Sequence, residues 1–174
     1  MNDNSHQLWQ KAVAFAACAH RHAVRKDGMT PYISHVVRVA LTIRHVFGFD
    51  DETVLAAALL HDTIEDTGTD YDEILEEFGP DVADLVALMT KDMRLVESTR
   101  EEMYDEQLRK GPWKARLIKL ADVYDNLTDA IEGKGSLDKM IEKTERAMAL
   151  AKDDAALKEA RETVEDLLKQ ARSS

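Results

Sequence analysis

The sequence predicts an all-α protein, and three observations support this fold class. Apolar residues recur with the period of a helix in most segments, as Leu8, Ala12 and Phe15 do in the first. The 7 glycines and 3 prolines fall between these segments. No segment alternates apolar and polar residues as a half-buried strand does. We therefore expect a compact multi-helix domain with short connections.

The helix boundaries follow from acidic first turns and from helix-breaking residues. Gly48 suits the end of one helix, and the acidic residues at 50–52 suit the positive end of the next helix dipole. That next helix contains "VLAAALL", which is apolar on every side, so we expect it at the centre of the protein. The expected helices cover residues 5–25, 34–47, 50–67, 71–78, 81–91, 101–110, 113–131, 137–150 and 155–171.

Two parts of the chain differ in their content of motifs. Residues 1–135 contain every segment that suggests chemistry, and we expect them to form the main domain. Residues 136–174 contain helical periodicity but no functional motif. We expect them to form a C-terminal helical extension that packs on the same domain.

The charge balance restricts the partners of this protein. It has 23 basic and 34 acidic residues, a formal net charge of −11, which disfavours binding to nucleic acid or to an anionic membrane. A small polyanion stays compatible, because a local cationic cluster can oppose the overall charge. The polar N-terminus and the short apolar runs favour the cytoplasm. The single cysteine, Cys18, lies in an alanine-rich stretch and is expected to be buried.

The segment "HDTIED", residues 61–66, concentrates ionisable side chains after an apolar helix. Adjacent helical positions lie about 100° apart, so His61 and Asp62 can both reach one ion. Glu65 and Asp66 lie one turn further on, where a group that orients or deprotonates water belongs. The alternative is a solvated helix end, although acids near a helix C-terminus oppose its dipole.

Two further residues can complete a metal site. His35 begins a helix after a loop, and Asp122 interrupts the mainly apolar segment "LIKLADVYDN". Two imidazoles and two carboxylates, with waters, suit Mn²⁺ or Fe²⁺ better than a tetrahedral structural Zn²⁺. Each residue alone is also compatible with a structural role. The metal hypothesis gains weight because an ion would offset the cost of burying these carboxylates.

Several motifs together resemble one family. His35, His61-Asp62 and Asp122, in this order, resemble the H…HD…D signature of the HD-domain phosphohydrolases. The segments "RKDGMTPYISH", "AAALLHDTIEDT", "FGPDVADLVALMTK" and "KLADVYDNL" resemble more closely the (p)ppGpp hydrolase domain of the RelA/SpoT family, including its small hydrolases of the Mesh1 type. The resemblance covers roughly residues 8–130 and implies an HD fold with one divalent metal per chain. Mn²⁺ is the expected ion, and Fe²⁺ or another divalent cation is the alternative.

The resemblance also implies a reaction and further site residues. Glu65 and Asp66 would be the catalytic pair, and Arg25, Lys26 and Asn126 would contact the nucleotide. A guanidinium suits this task because it can stack on a purine or donate two hydrogen bonds to a phosphate. The implied activity is metal-dependent hydrolysis of the 3′-diphosphate of (p)ppGpp, a small guanosine polyphosphate, to pyrophosphate and GDP or GTP. The implied metal ligands are His35, His61, Asp62 and Asp122.

One segment departs from the family pattern. After "LAD", relatives read a basic residue and then Leu-His-Asn or Leu-Tyr-Asn, whereas this chain reads Val123-Tyr124-Asp125-Asn126. A missing cation and an additional acid, Asp125, near a polyphosphate site leave the substrate open. The alternatives are an HD phosphohydrolase for another nucleotide or a phosphorylated cofactor such as NADPH, and a non-catalytic nucleotide-sensing module. The intact Glu65-Asp66 pair favours an enzyme over a sensor.

Overall fold

The all-α prediction is confirmed by the computed structural model, which describes residues 5–173 and the side chains of residues 8–173. Within this range no strand is formed, and a single isolated bridge pairs Val24 with Pro31. None of the helices described combines the length and apolar character that a membrane crossing requires.

The helices are α1 (Ser5–Ala19), α2 (Ile33–Leu41) with a π-helical turn (Thr42–Val46), α3 (Glu52–Leu60), α4 (Thr63–Asp66), α5 (Tyr71–Phe78), α6 (Pro80–Met89), α7 (Glu97–Lys110), α8 (Trp113–Ile131), α9 (Leu137–Leu150) and α10 (Lys158–Ser173), the last preceded by a 3₁₀ turn (Ala155–Leu157).

Helix α3 forms the centre of the core, as its sequence predicts. Every residue from Val54 to Leu60 is buried. The helix packs against α1, α2, α6 and α8, so side chains on all of its faces are removed from water. This position explains why the segment has no polar face, and it brings the end of α3 to the middle of the protein.

The prediction of one helix over residues 50–67 is wrong, because the helix is interrupted between Leu60 and Thr63. Helix α3 ends at Leu60 and the short α4 begins at Thr63. The backbone of Asp62 has φ −101° and ψ −1°, at the sparsely populated edge of the helical region. The hydroxyl of Thr63 donates to the carbonyl oxygen of Leu60 at 2.6 Å and satisfies an acceptor at the end of α3.

Other boundaries differ by smaller amounts. Helix α1 ends at Ala19 rather than near residue 25, and α7 begins four residues earlier than expected, at Glu97. The prediction of a buried thiol is also wrong, because Cys18 is exposed. Cys18 lies two residues beyond the buried Ala16, which turns its side chain to the opposite side of α1.

The residues after 135 pack on the helices before them. Leu127 and Ala130 of α8 form a buried cluster with Met140 of α9 and with Leu168 and Ala171 of α10. Other buried residues of α9 and α10 join the main core. Helices α9 and α10 therefore cover α8, and the boundary at residue 135 stays a prediction.

Replacing Leu60 with Ala tests the central position of α3. Leu60 is fully buried, so the change should lower the free energy of unfolding by about 2–5 kcal/mol through lost burial and a residual cavity. Leu75 on α5 is 36% exposed, and Leu75→Ala should cost about 1 kcal/mol or less. Urea denaturation measures both values. Equal losses in the two variants would contradict the proposed core.

Candidate metal centre and active site

Four ionisable side chains from three parts of the chain meet at one point. His35 comes from α2, His61 and Asp62 from the break between α3 and α4, and Asp122 from the middle of α8. The Nε2 atom of His35 lies 3.3 Å from Oδ1 of Asp122 and 3.5 Å from Oδ2 of Asp62. The Nε2 atom of His61 lies 3.0 Å from Oδ2 of Asp62 and 3.8 Å from Oδ1 of Asp122. The structure thus brings together the four residues that the sequence suggested as ligands.

Each imidazole directs Nε2 at this cluster because its Nδ1 is engaged elsewhere. Nδ1 of His35 donates to Oδ2 of Asp125 at 2.6 Å, and Nδ1 of His61 donates to the carbonyl oxygen of Ala58 at 2.8 Å. Nε2 of His61 is buried and makes no hydrogen bond, although Oδ2 of Asp62 lies close to it. His35, His61 and Asp62 offer ligand atoms within 4.8 Å of one another. This donor set, with a buried nitrogen that has no hydrogen bond, fits a divalent cation.

The two carboxylates of the cluster are oriented by neighbouring groups. The hydroxyl of Tyr32 donates to Oδ2 of Asp62 at 2.6 Å. Lys119 donates to Oδ2 of Asp122 at 2.8 Å, and the amide of Asn126 donates to Oδ1 at 2.6 Å. These contacts limit the rotation of both acids, as partners of ligating residues commonly do. Tyr32 and Lys119 lie in segments that resemble the family, but no role in the site was predicted for either residue.

Close contact shifts the pKa values of the four groups of the cluster. Burial disfavours a charged His35, but hydrogen bonds to Asp122, Asp125 and Asp62 raise its pKa to about 9. Burial likewise disfavours a charged His61, yet its pKa is raised because Asp62 and Asp122 lie beside it. The pKa values of Asp62 and Asp122 lie well below their usual range despite burial, since neighbouring cations stabilise the ionised forms. A divalent cation can replace the imidazole protons.

Helix α4 places Glu65 and Asp66 immediately after the cluster. Glu65 is partly buried, and its Oε2 accepts the backbone N–H of Lys91 at 2.8 Å. Burial raises the pKa of Glu65, and the charge of Asp62 adds to the effect. Asp66 is exposed, and partial desolvation together with the charge of Asp62 raises its pKa, while the hydroxyl of Tyr32 opposes this shift. A raised pKa brings a carboxyl group closer to the range in which it exchanges protons near neutral pH.

The predicted nucleotide contacts have different environments. Arg25 is buried, and its guanidinium donates to Asp129 at 2.9 Å and to Asn126 at 2.9 Å. Its Cζ atom lies 5.5 Å from the centre of the Tyr32 ring. Lys26 is exposed. The guanidinium of Arg25 is therefore hydrogen-bonded to side chains of the protein, whereas the sequence suggested that it would face a ligand. Asn126 joins Arg25 to the metal cluster.

Asp125 contacts two side chains of α2. The carboxylate contacts Nδ1 of His35 and accepts two hydrogen bonds from Arg38, at 2.5 and 2.8 Å. It therefore lies behind the metal cluster, on the side of His35 away from Asp62 and Asp122. The sequence contained an indication of this contact. Asp122, Asp125 and Asp129 are spaced at i, i+3 and i+7, which places all three on one side of a helix.

A second group of charged side chains lies around a cavity next to Glu65. The cavity has a volume of about 520 Å³ and is lined by Glu65, Lys91, Lys143 and Arg146, among others. Burial and the nearby charges of Lys91 and Lys119 lower the pKa of Lys143. Glu101 pairs with Lys91 at 2.7 Å and with Arg146 at 3.4 Å. The lining contains five basic and five acidic residues, so its formal charges balance.

Comparison with known proteins agrees with this geometry. The HD domain family profile matches residues 12–148. The guanosine-3′,5′-bis(diphosphate) 3′-pyrophosphohydrolase MESH1 of Drosophila melanogaster is 41% identical over 122 residues, 70% of this chain and 68% of the relative. The Homo sapiens enzyme of the same name is 44% identical over 130 residues, 74% of this chain and 72% of the relative. A solved structure described as a metazoan ortholog of SpoT that hydrolyses ppGpp aligns with a TM-score of 0.83 and 30% identity over 94% of each chain.

The chain belongs to the HD domain family, in agreement with the resemblance that its motifs show. Membership implies a divalent metal, and the group formed by His35, His61 and Asp62 can hold one. The fold, the order of the motifs and the convergence of their side chains are therefore mutually consistent.

Metal binding should release protons and weaken as the pH falls. Below about pH 9 an ion must displace the proton of His35, so the apparent affinity should fall up to about tenfold per pH unit for each displaced proton. Calorimetric titration with Mn²⁺ at pH 7, in two buffers of different protonation enthalpy, measures the number of protons released. We expect at least about one. An affinity that does not change between pH 6 and 9, with no proton release, would contradict the assignment of His35 as a ligand.

Proposed function

We propose that this protein hydrolyses the 3′-diphosphate of (p)ppGpp and releases pyrophosphate and GDP or GTP. The observation that carries the proposal is the convergence of His35, His61, Asp62 and Asp122 on one point, beside Glu65 and Asp66, in a chain with relatives named for this reaction. A non-catalytic sensor would not need two carboxyl groups with raised pKa values beside its metal cluster.

His35, His61, Asp62 and Asp122 would hold one divalent ion per chain. Two imidazole and two carboxylate ligands, with coordination positions left for water or substrate, favour Mn²⁺, with Fe²⁺ as the alternative. When bound, such an ion supplies a Lewis acid that polarises a phosphoryl oxygen and lowers the pKa of water. Tyr32 and Lys119 hold the two carboxylates in place, so little reorganisation is needed when the ion binds.

Glu65 and Asp66 would carry the proton transfers. The oxygen of a water molecule forms a bond to the phosphorus next to the 3′ oxygen and loses a proton, and the bond between that phosphorus and the 3′ oxygen breaks. The 3′ oxygen then gains a proton and becomes the hydroxyl of GDP or GTP. One carboxylate can accept the first proton, and one carboxylic acid can supply the second. The backbone N–H of Lys91 fixes the direction of Glu65.

The cations around the site would compensate the charge of the substrate. A guanosine polyphosphate carries several negative charges, and the chain itself has a net charge of −11. The cavity beside Glu65 contains Lys91, Lys143 and Arg146, although its five basic residues are matched by five acidic ones. We propose that Arg25, Lys26 and Asn126 position the nucleotide. Individual cations, rather than a net positive field, would therefore pair with the phosphates.

Glu65→Gln and Asp66→Asn test the catalytic pair. Both changes keep the size of the side chain but remove proton transfer, so kcat for ppGpp should fall about 100-fold or more while Mn²⁺ binding is retained. Glu76→Gln, an exposed carboxylate on α5, is the matched control and should keep the wild-type rate. Variants that retain near wild-type kcat at saturating Mn²⁺ and substrate would show that these roles are wrong.

Product analysis separates the proposed reaction from other HD phosphohydrolase reactions. Incubation with ppGpp and Mn²⁺ should give pyrophosphate and GDP in equal amounts. Release of orthophosphate from NADPH, with no turnover of ppGpp, would favour the alternative of a phosphorylated cofactor. Tight binding of ppGpp without any product would favour a sensor and contradict the proposal.

Arg25→Ala and Lys26→Ala should have different effects. Removal of Arg25 takes away the donor to Oδ1 of Asn126 and leaves Asp129 paired with Arg38, so the free energy of unfolding should fall by about 1–3 kcal/mol, with impaired turnover. Lys26 is exposed, so Lys26→Ala should raise KM for ppGpp with little change in stability. Lys152→Ala, at an exposed site on the C-terminal part, is the control. An unchanged KM in Lys26→Ala would contradict its proposed contact with the nucleotide.

A further inference from the structure

A chain of hydrogen bonds connects His35 with Asp122, two of the four proposed ligands, behind the metal cluster. His35 donates to Asp125, and Arg38 donates to both Asp125 and Asp129. Arg25 donates to Asp129 and to Asn126. The chain ends at Asp122, whose carboxylate accepts from Asn126 and lies 3.3 Å from His35. Within this chain, the two guanidinium groups pair with the carboxylates of Asp125 and Asp129.

Asp125 differs from the other acid of the network because it touches an imidazole. Its carboxylate is 5% exposed and lies 2.6 Å from Nδ1 of His35. A carboxylate at Nδ1 fixes a proton on that nitrogen, which leaves Nε2, beside Asp62 and Asp122, as the ring atom that can bind a cation. Its negative charge also makes Nε2 a stronger donor toward a cation. Asp129, one turn further along α8, contacts Arg38 and Arg25 but no histidine.

Arg38 fixes the direction of Asp125. Its Nε and Nη2 atoms donate to the two oxygens of the carboxylate at 2.5 and 2.8 Å. This two-point contact prevents rotation of the carboxylate away from His35. The side chain of Arg38 is 39% exposed, so water also screens its positive charge and reduces its effect on His35.

We infer that Asp125 is a positioning residue that holds His35 in the orientation and tautomer required to bind the metal, and that it thereby strengthens metal binding. The inference rests on the proposed function, because it requires His35 to be a ligand. It assigns a purpose to the residue at which this chain departs from the family pattern: the acid acts on the metal site from behind rather than on the substrate.

Asp125→Asn is the direct test, with Asp129→Asn as the matched control. Both variants remove one negative charge from the same network on the same helix, but only the first changes the partner of His35. The dissociation constant for Mn²⁺, measured by calorimetry at fixed pH, should rise about 10- to 100-fold in Asp125→Asn. It should stay within about threefold of wild type in Asp129→Asn. Equal weakening in both variants would show that network charge alone matters and would overturn the inference.

A measurement on the wild-type protein covers the case in which Asp125→Asn fails to fold. In protein loaded with Zn²⁺, which is diamagnetic, nitrogen-15 NMR should show His35 protonated at Nδ1 with its Nε2 bound to the ion. Protonation at Nε2 would overturn the inference whatever the variants do. An intact Asp125→Asn protein with wild-type affinity would overturn the inference and leave the proposed function standing. Failure of wild-type protein to bind Mn²⁺ would overturn both.

Discussion

Ionisable groups buried inside an apolar helical core are the constraint on which this structure depends. Two imidazoles and two carboxylates meet where α2, α3, α4 and α8 converge, and an unpaired charge in such a position is costly. Each carboxylate therefore has a defined partner, Tyr32 for Asp62 and Lys119 for Asp122. A divalent cation would complete this balance, because it replaces protons on the imidazoles with a charge that all four ligands share.

The same chain segment provides both stability and chemistry. Helix α3 is apolar on every side, so burial of its residues fixes it at the centre of the protein. Its C-terminal end delivers His61 and Asp62 to the interior, and the break at these residues turns α4 so that Glu65 and Asp66 follow the cluster. A regular helix through residues 50–67 would have continued past the proposed ligands without this change of direction.

The sequence indicated which residues meet at the site, but it did not predict the break in the helix or the contacts that orient these residues. His35, His61, Asp62 and Asp122 were recognisable because acids and histidines interrupt apolar helices and follow a familiar order. The break at His61 was not predictable, since neither glycine nor proline occurs there and a threonine hydroxyl ends α3. The contact of Asp125 with His35 spans 90 residues, and local patterns do not report such pairs. The ion pair of Arg25 with Asp129 was missed for the same reason.

The direct test of the central claim is the metal content of the protein. Wild-type protein loaded with Mn²⁺ and freed of excess ion should contain one manganese per chain by elemental analysis. Asp62→Ala should contain almost none, because it lacks the carboxylate that lies beside Nε2 of both His35 and His61. Asp72→Ala removes an exposed acid on α5 and should contain as much manganese as wild type. Wild-type protein without manganese, or an Asp62→Ala protein that retains a full complement, would contradict the account.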